Sequence, residues 1–267
     1  MDKKNKVRIS LFLEFIILLV ILGISSIFMS NSDLSEETLS LVDIDSNTKI
    51  STKIKEISEK YNIKIIYGLD TIDLATNVNA NMLTDENIIL QQLDILKKAL
   101  SKYEDDFFKK DRLTIILLES FNNNNLALAS KNNLGEYKIY LSNTINFERS
   151  IHHEIYHVFE YMNDIKSNLQ YSTWNELNPK EFSYEEKLNL LNNNYIFGSN
   201  NDELNVYFVS KYSKTSPKED RAEIFAEVML EKYDFRKNIN LIKKINAIEE
   251  VITATSSNVL IDINKYD

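Results

Sequence analysis

An α+β fold with a small mixed sheet is the class this sequence predicts. Two observations predict it: helical and extended hydrophobic periods alternate between positions 50 and 141, and helical texture returns after position 216. The 267 residues are 43% hydrophobic, enough for a packed core in one large domain or two small ones. Residues 50–61 read as an amphipathic helix, and residues 62–68 as a strand closed by Gly68. Helical period returns over 86–103, where Ile88, Leu90, Leu93, Ile95, Leu96 and Leu100 form an apolar stripe. Residues 113–118 make a second strand, 122–125 a loop, and the alternation over 137–141 a third strand. A helix over 147–162 follows directly.

Beyond position 162 the pattern is looser. Residues 163–179 read as loop, 184–191 as a short helix and 192–212 as irregular. Ser216-Pro217-Lys218-Glu219 then has the form of a capping box with proline in the first helical position, and it opens a helix over 217–233. Residues 235–255 read as a last helix. No internal repeat is present.

The N-terminal segment has targeting character. Residues 1–8 form a basic n-region with Lys3, Lys4, Lys6 and Arg8, and residues 9–29 are apolar with few interruptions. That length approaches the roughly 20 residues needed to span a bilayer. The segment is expected to be either a cleaved signal peptide or an uncleaved anchor, and a buried core helix is the plainer alternative. Residues 30–47 are polar and suit a tether. The folded domain is expected over 48–267, with a sheet-bearing part over 48–146 and a helical part over 147–267. This organisation predicts a protein outside the cytoplasm, membrane-anchored or secreted.

Charge and composition narrow the function. Acidic residues number 40 against 31 basic, a net charge of −9, which disfavours a nucleic-acid partner. Cysteine is absent, so disulfide scaffolds and thiolate metal sites are excluded, leaving His, Asp and Glu as strong ligands. The chain has three histidines, His152, His153 and His157.

The segment His153-Glu154-Ile155-Tyr156-His157 carries the chemistry. Residues four apart share a helical face, so His153 and His157 can hold one zinc ion while Glu154 stands beside it as general base. Such a site predicts hydrolysis of a peptide bond by an activated water. The competing reading is an ordinary amphipathic helix. His152 points about 100° away and is expected to pack or line the rim rather than bind metal.

A catalytic zinc generally takes three protein ligands. Glu160 and Asn163 stand where a metzincin needs glycine and histidine, so the third ligand is expected to be a later carboxylate. Glu219, Glu223 and Glu227 lie on one face of the capped helix. With Glu219 assigned to the capping box, Glu223 is expected as the ligand and Glu227 as a carboxylate orienting an imidazole N–H. A solvated acidic stripe is the alternative.

The stretch Ala222-Glu223-Ile224-Phe225-Ala226-Glu227 resembles the metal-binding helix of the lethal-factor-like and Pro-Pro endopeptidase group of gluzincins. Trp174-Asn175-Glu176-Leu177-Asn178-Pro179 and Phe208-Val209-Ser210-Lys211-Tyr212 resemble segments of secreted bacterial zinc metallopeptidases. The resemblance covers residues 147–233. It implies a zincin-like peptidase fold, one zinc ion held by His153, His157 and Glu223, a peptide or protein substrate, and Tyr212 as an oxyanion-assisting tyrosine. It also implies an edge strand near the histidine helix that binds substrate backbone, expected at Tyr137, Ile139 and Leu141. Two other functions compete: a cell-wall peptide amidase using the same site, and an inactive zinc-containing surface binding protein.

Overall fold

The structure, a computed structural model, describes residues 49–68, 72–73, 78–104, 107–108, 113–123, 125–163, 173–184, 206–232 and 234–254. The chain divides into units Met1–Thr48 and Lys49–Asp267, and every described residue belongs to the second. The expected n-region, apolar segment and tether lie outside the described residues, as does nearly all of the helix expected over 184–191. Among the described residues no helix is long and apolar enough to cross a membrane.

Helix α1 (Lys49–Tyr61) buries Ile50, Ile54, Ile57 and Tyr61, the helical period read from the sequence. Short strands β1 (Lys64–Ile66), β2 (Ile72–Asp73) and β3 (Val78–Met82) follow. Helix α2 (Glu86–Leu100) is capped by Asp85, whose carboxylate accepts from the amides of Asn87 and Ile88 at 2.9 and 3.1 Å. Strands β4 (Leu113–Phe121), β5 (Ala127–Lys131) and β6 (Tyr137–Ser142) lead into α3 (Phe147–Met162). Helices α4 (Pro217–Leu230) and α5 (Ile239–Ala254) complete the unit.

The sheet runs β2-β3-β4-β6-β5, with β1 beside the first half of β4 and β3 beside the second. Strand β4 is parallel to β1 and β6 and antiparallel to β3, while β5 is antiparallel to β6. Alternation divides the strands between two faces. Leu113, Ile115, Leu117, Ile139 and Leu141 join the helices in the main core. Ile116, Leu118 and Tyr140 join Val78 and Ala80 in a smaller cluster.

The topology corrects one expectation about the site. Strand β6, expected as the substrate-binding edge through Tyr137, Ile139 and Leu141, is paired along its length with β4 on one side and β5 on the other. Among the described residues the unpaired edge on this side of the sheet belongs to β5. Ser142 donates to Leu126 O at 3.0 Å and Asn132 to Glu136 O at 3.0 Å, which sets the hydrogen-bonded pairs of the ladder at even-numbered β5 positions. The peptide groups of Ala127, Ala129 and Lys131 therefore face away from β6.

A buried polar network anchors the start of α4. Asp220 and Lys244 of α5 form a 2.7 Å ion pair in which both side chains are fully buried. Tyr184 and Trp174 also donate to Asp220 Oδ2, at 2.7 and 3.2 Å, and Asn178 donates to the Tyr184 hydroxyl at 2.9 Å. Lys244 donates to Tyr207 O at 2.8 Å and lies 4.0 Å from the centre of the Phe208 ring.

Candidate metal centre

Helix α3 is buried on nearly every side: Arg149, His152, His153, Glu154, His157 and Glu160 are all inaccessible along with its apolar residues. Buried polar groups of this kind need partners, and α4 supplies most of them. Arg149 meets Glu223 and Glu227, His153 and His157 meet Glu219, Glu160 meets Arg221, and Tyr161 meets Lys218. The order of these pairs makes the two helices antiparallel.

Three ligand-type atoms converge between them. His153 Nε2 is 3.0 Å and His157 Nε2 3.2 Å from Glu219 Oε2, and the two imidazole nitrogens are 3.1 Å apart. Ligands held by tetrahedral zinc at roughly 2.0–2.1 Å stand about 3.3 Å from one another, so this triangle fits a zinc ion with little movement. His153, His157 and Glu219 form the one group of metal-ligand type found among the described residues.

Glu219, rather than Glu223, is thus the carboxylate at the imidazole Nε2 atoms. Only half of the expected capping box forms. The Glu219 amide donates to Ser216 Oγ at 3.2 Å, but the Glu219 carboxylate turns to the histidines. One turn on, Glu223 is fully buried; its Oε1 lies 2.9 Å from His153 Nδ1 and accepts from Arg149 Nη1 at 2.7 Å. Arg149 Nη2 and Ser210 Oγ donate to the other oxygen. Glu227 accepts from Arg149 Nε at 2.6 Å. The structure therefore places Glu223 behind His153 and Glu227 on the arginine.

Glu154 lies beside this group against the free edge of β5, where the Ala129 amide donates to its carboxylate. Burial raises its pKa to about 7, and the nearby His153 charge opposes the rise. Tyr212 begins a short 3-10 turn, with its ring centre 5.9 Å from that of His153 and its hydroxyl bonded to Glu219. Burial and the charges of Glu219, Glu154 and Glu223 push its pKa well up, so the phenol stays protonated and can donate. His152 faces the core, with Nδ1 2.7 Å from the Tyr103 hydroxyl, and burial holds its pKa down at about 3.

The histidines are electrostatically unequal without metal. Burial lowers the pKa of His153, but hydrogen bonds to Glu219 and Glu223 outweigh it and hold the value at about 10. Burial holds His157 at about 4. Between these values metal uptake must displace one proton from His153. Apparent zinc affinity should therefore rise about tenfold per pH unit between pH 7 and 9, and more steeply below about pH 7 where Glu154 also holds a proton, as read by competition with a chelator. A pH-independent affinity would contradict this.

Arg149 and Ser210 are site residues that motif reading missed. Arg149 could have been found, because it continues the His153–His157 row one turn earlier. Ser210 depends on a fold-back that no spacing reveals.

No protein-family profile matches the chain, and no curated protein is similar to it in sequence. A solved structure from Bacteroides caccae, described as a "putative zinc-binding metallo-peptidase", is similar in fold. Its TM-score is 0.54 at 17% identity, covering 84% of this chain and 92% of that one. The chain thus shares the α+β fold of that structure, and its His153, His157 and Glu219 form a cluster compatible with a metal centre.

Proposed function

We propose that the chain is a zinc-dependent endopeptidase of gluzincin type. The observation that carries the reading is the convergence of His153, His157 and Glu219 beside a buried carboxylate, Glu154, at the free edge of β5. His153, His157 and Glu219 would hold the ion. A bound zinc would supply Lewis acidity toward a peptide carbonyl and toward water.

The chain's own residues supply the remainder. Glu223, gripped by Arg149 and Ser210, fixes the His153 ring through Nδ1 and turns Nε2 toward the ligand cluster. Glu154 accepts a proton as the water oxygen bonds to the carbonyl carbon, then delivers it to the amine nitrogen as the C–N bond breaks. The Tyr212 hydroxyl donates to the developing oxyanion. The outward peptide groups of Ala127 and Lys131, with the Ala129 carbonyl, pair with the substrate backbone as an added strand, while the Ala129 amide stays on Glu154. The lethal-factor-like motif over 222–227 supports the gluzincin assignment, with the ligand moved one turn earlier to Glu219. The basic and apolar N-terminal segments support action outside the cytoplasm, anchored or secreted.

The test is cleavage of a mixed peptide library by the zinc-loaded chain and its Glu154→Gln variant. The substitution should lower turnover on the order of 10²–10⁴-fold while zinc content stays stoichiometric. Since the charge of the ion lowers the Glu154 pKa below its metal-free value, the acid limb of kcat/KM should fall below about pH 7. Activity unaffected by the glutamine would sink the assignment.

A further inference from the structure

Two lysines close to the metal centre have no carboxylate within ion-pair distance among the described residues. Lys218 lies beside Glu219 in the first turn of α4, where a cation opposes the helix dipole rather than complementing it. Its ammonium donates to the Tyr161 hydroxyl at 2.6 Å and sits 4.5 Å from the centre of that ring. Lys131 ends β5, and its ammonium donates to Tyr161 O at 3.3 Å. Both other cations in the α3–α4 interface are neutralised, Arg149 by Glu223 and Glu227 and Arg221 by Glu160.

The position of this pair follows from two independent rulers. Along α3, Tyr161 is four residues beyond His157, roughly 6 Å. Along β5, Lys131 is two residues beyond Ala129, whose amide meets Glu154, roughly 6.8 Å. Either path puts the lysines about two substrate residues from the hydrolytic centre, on the helix-facing side of the strand to which a substrate would add.

We infer that Lys131 and Lys218, gathered on Tyr161, form a subsite for a substrate carboxylate, so that the enzyme selects peptides with a negative charge about two residues from the scissile bond. The inference rests on the peptidase reading for the direction of the bound chain. Lys218 acts on the charges of Glu154 and Glu160 without bonding to either, and an ammonium with no carboxylate in ion-pair contact among the described residues has the chemistry to accept one, supplied by an Asp or Glu side chain or by a peptide C-terminus.

Binding can be measured without turnover on the zinc-loaded full-length Glu154→Gln chain, using matched peptides in which one Glu, Gln or Lys steps through successive positions. C-terminal acids and amides are compared in parallel. One position should prefer Glu over Gln by about tenfold, or the free acid should be preferred over the amide by that factor, which tells side chain from terminus. The preference should survive Lys218→Arg, vanish in the Lys131→Met/Lys218→Met double variant, and shift toward Lys in Lys218→Glu. Absence of any carboxylate preference, or its persistence in the double variant with unchanged circular dichroism, would overturn the subsite. Cleavage by the wild-type chain separates the two readings. Carboxylate-selective binding without cleavage would remove the hydrolytic reading alone, and cleavage without charge preference would remove the subsite alone.

Discussion

Glu219→Ala should abolish stoichiometric zinc binding, whereas Glu223→Ala should weaken it by only about 10–100-fold. The difference follows from position. The Glu219 carboxylate completes the triangle with both Nε2 atoms, at 3.0 and 3.2 Å, and two histidines alone leave the ion short of the usual three protein ligands. Glu223 reaches His153 only through Nδ1. Its loss frees the ring to turn, but it also leaves the Arg149 guanidinium with Glu227 as its remaining carboxylate partner here, so the variant should lose stability too. Elemental analysis and chelator competition on both variants decide the ligand set. Zinc retained by Glu219→Ala and lost from Glu223→Ala would restore the assignment that the motif suggests.

Lys244→Met should destabilise the fold by about 3–5 kcal/mol, because it leaves the Asp220 carboxylate fully buried without its counter-charge. Among the described residues Asp220 Oδ1 has no hydrogen-bond partner, and without the lysine only the neutral donors Tyr184 and Trp174 remain on Oδ2. Burial has raised the Asp220 pKa to about 6 against the pull of Lys244, and removing the lysine raises it further. The deficit relative to wild type should therefore shrink as the pH falls through the variant's higher pKa toward about 6, where the carboxyl protonates in the variant before it does in wild type, and should level off below that. The double variant Asp220→Leu/Lys244→Met should recover most of the loss, since apolar replacement of both partners of a buried pair is often neutral. Thermal melts across pH 4.5–8 check both statements. A single variant as stable as wild type at neutral pH would contradict the role given to the pair.

Much of this architecture is legible in the sequence wherever hydrophobic period and end signals agree. Helix α3 runs Phe147–Met162 as the reading expects, and α4 begins at Pro217 behind the Ser216 cap. It ends at Leu230, short of the expected position 233, because Glu231 takes a left-handed conformation with φ 55°. Strands β3 and β5 escape the reading because Val-Asn-Ala-Asn-Met and Ala-Leu-Ala-Ser-Lys are poor in β-formers. Pairing with β4 and β6 makes them strands, a tertiary effect. Missing β5 is also why β6 reads as the edge.

The site divides along the same line. The histidines and Glu154 are local in sequence and follow from helical spacing. The choice between Glu219 and Glu223 does not, because both glutamates lie on one face and differ only in what meets them across the interface. The motif Trp174-Asn175-Glu176-Leu177-Asn178-Pro179 acquires a physical meaning only in three dimensions, where Trp174 and Asn178 belong to the polar network that holds the residue next to Glu219.

The free side of β5 has a cost as well as a use. An open strand that welcomes a peptide is equally open to the edge of another copy of the same molecule, the usual route to self-association. Here the edge strand is five residues long and ends in Lys131, its one exposed residue, and short length and terminal lysine are both devices that discourage edge-to-edge growth. The cation proposed to read a substrate's charge would thus also discourage two molecules from zipping together, so neutralising Lys131 would broaden peptide selection and lower solubility in a single step.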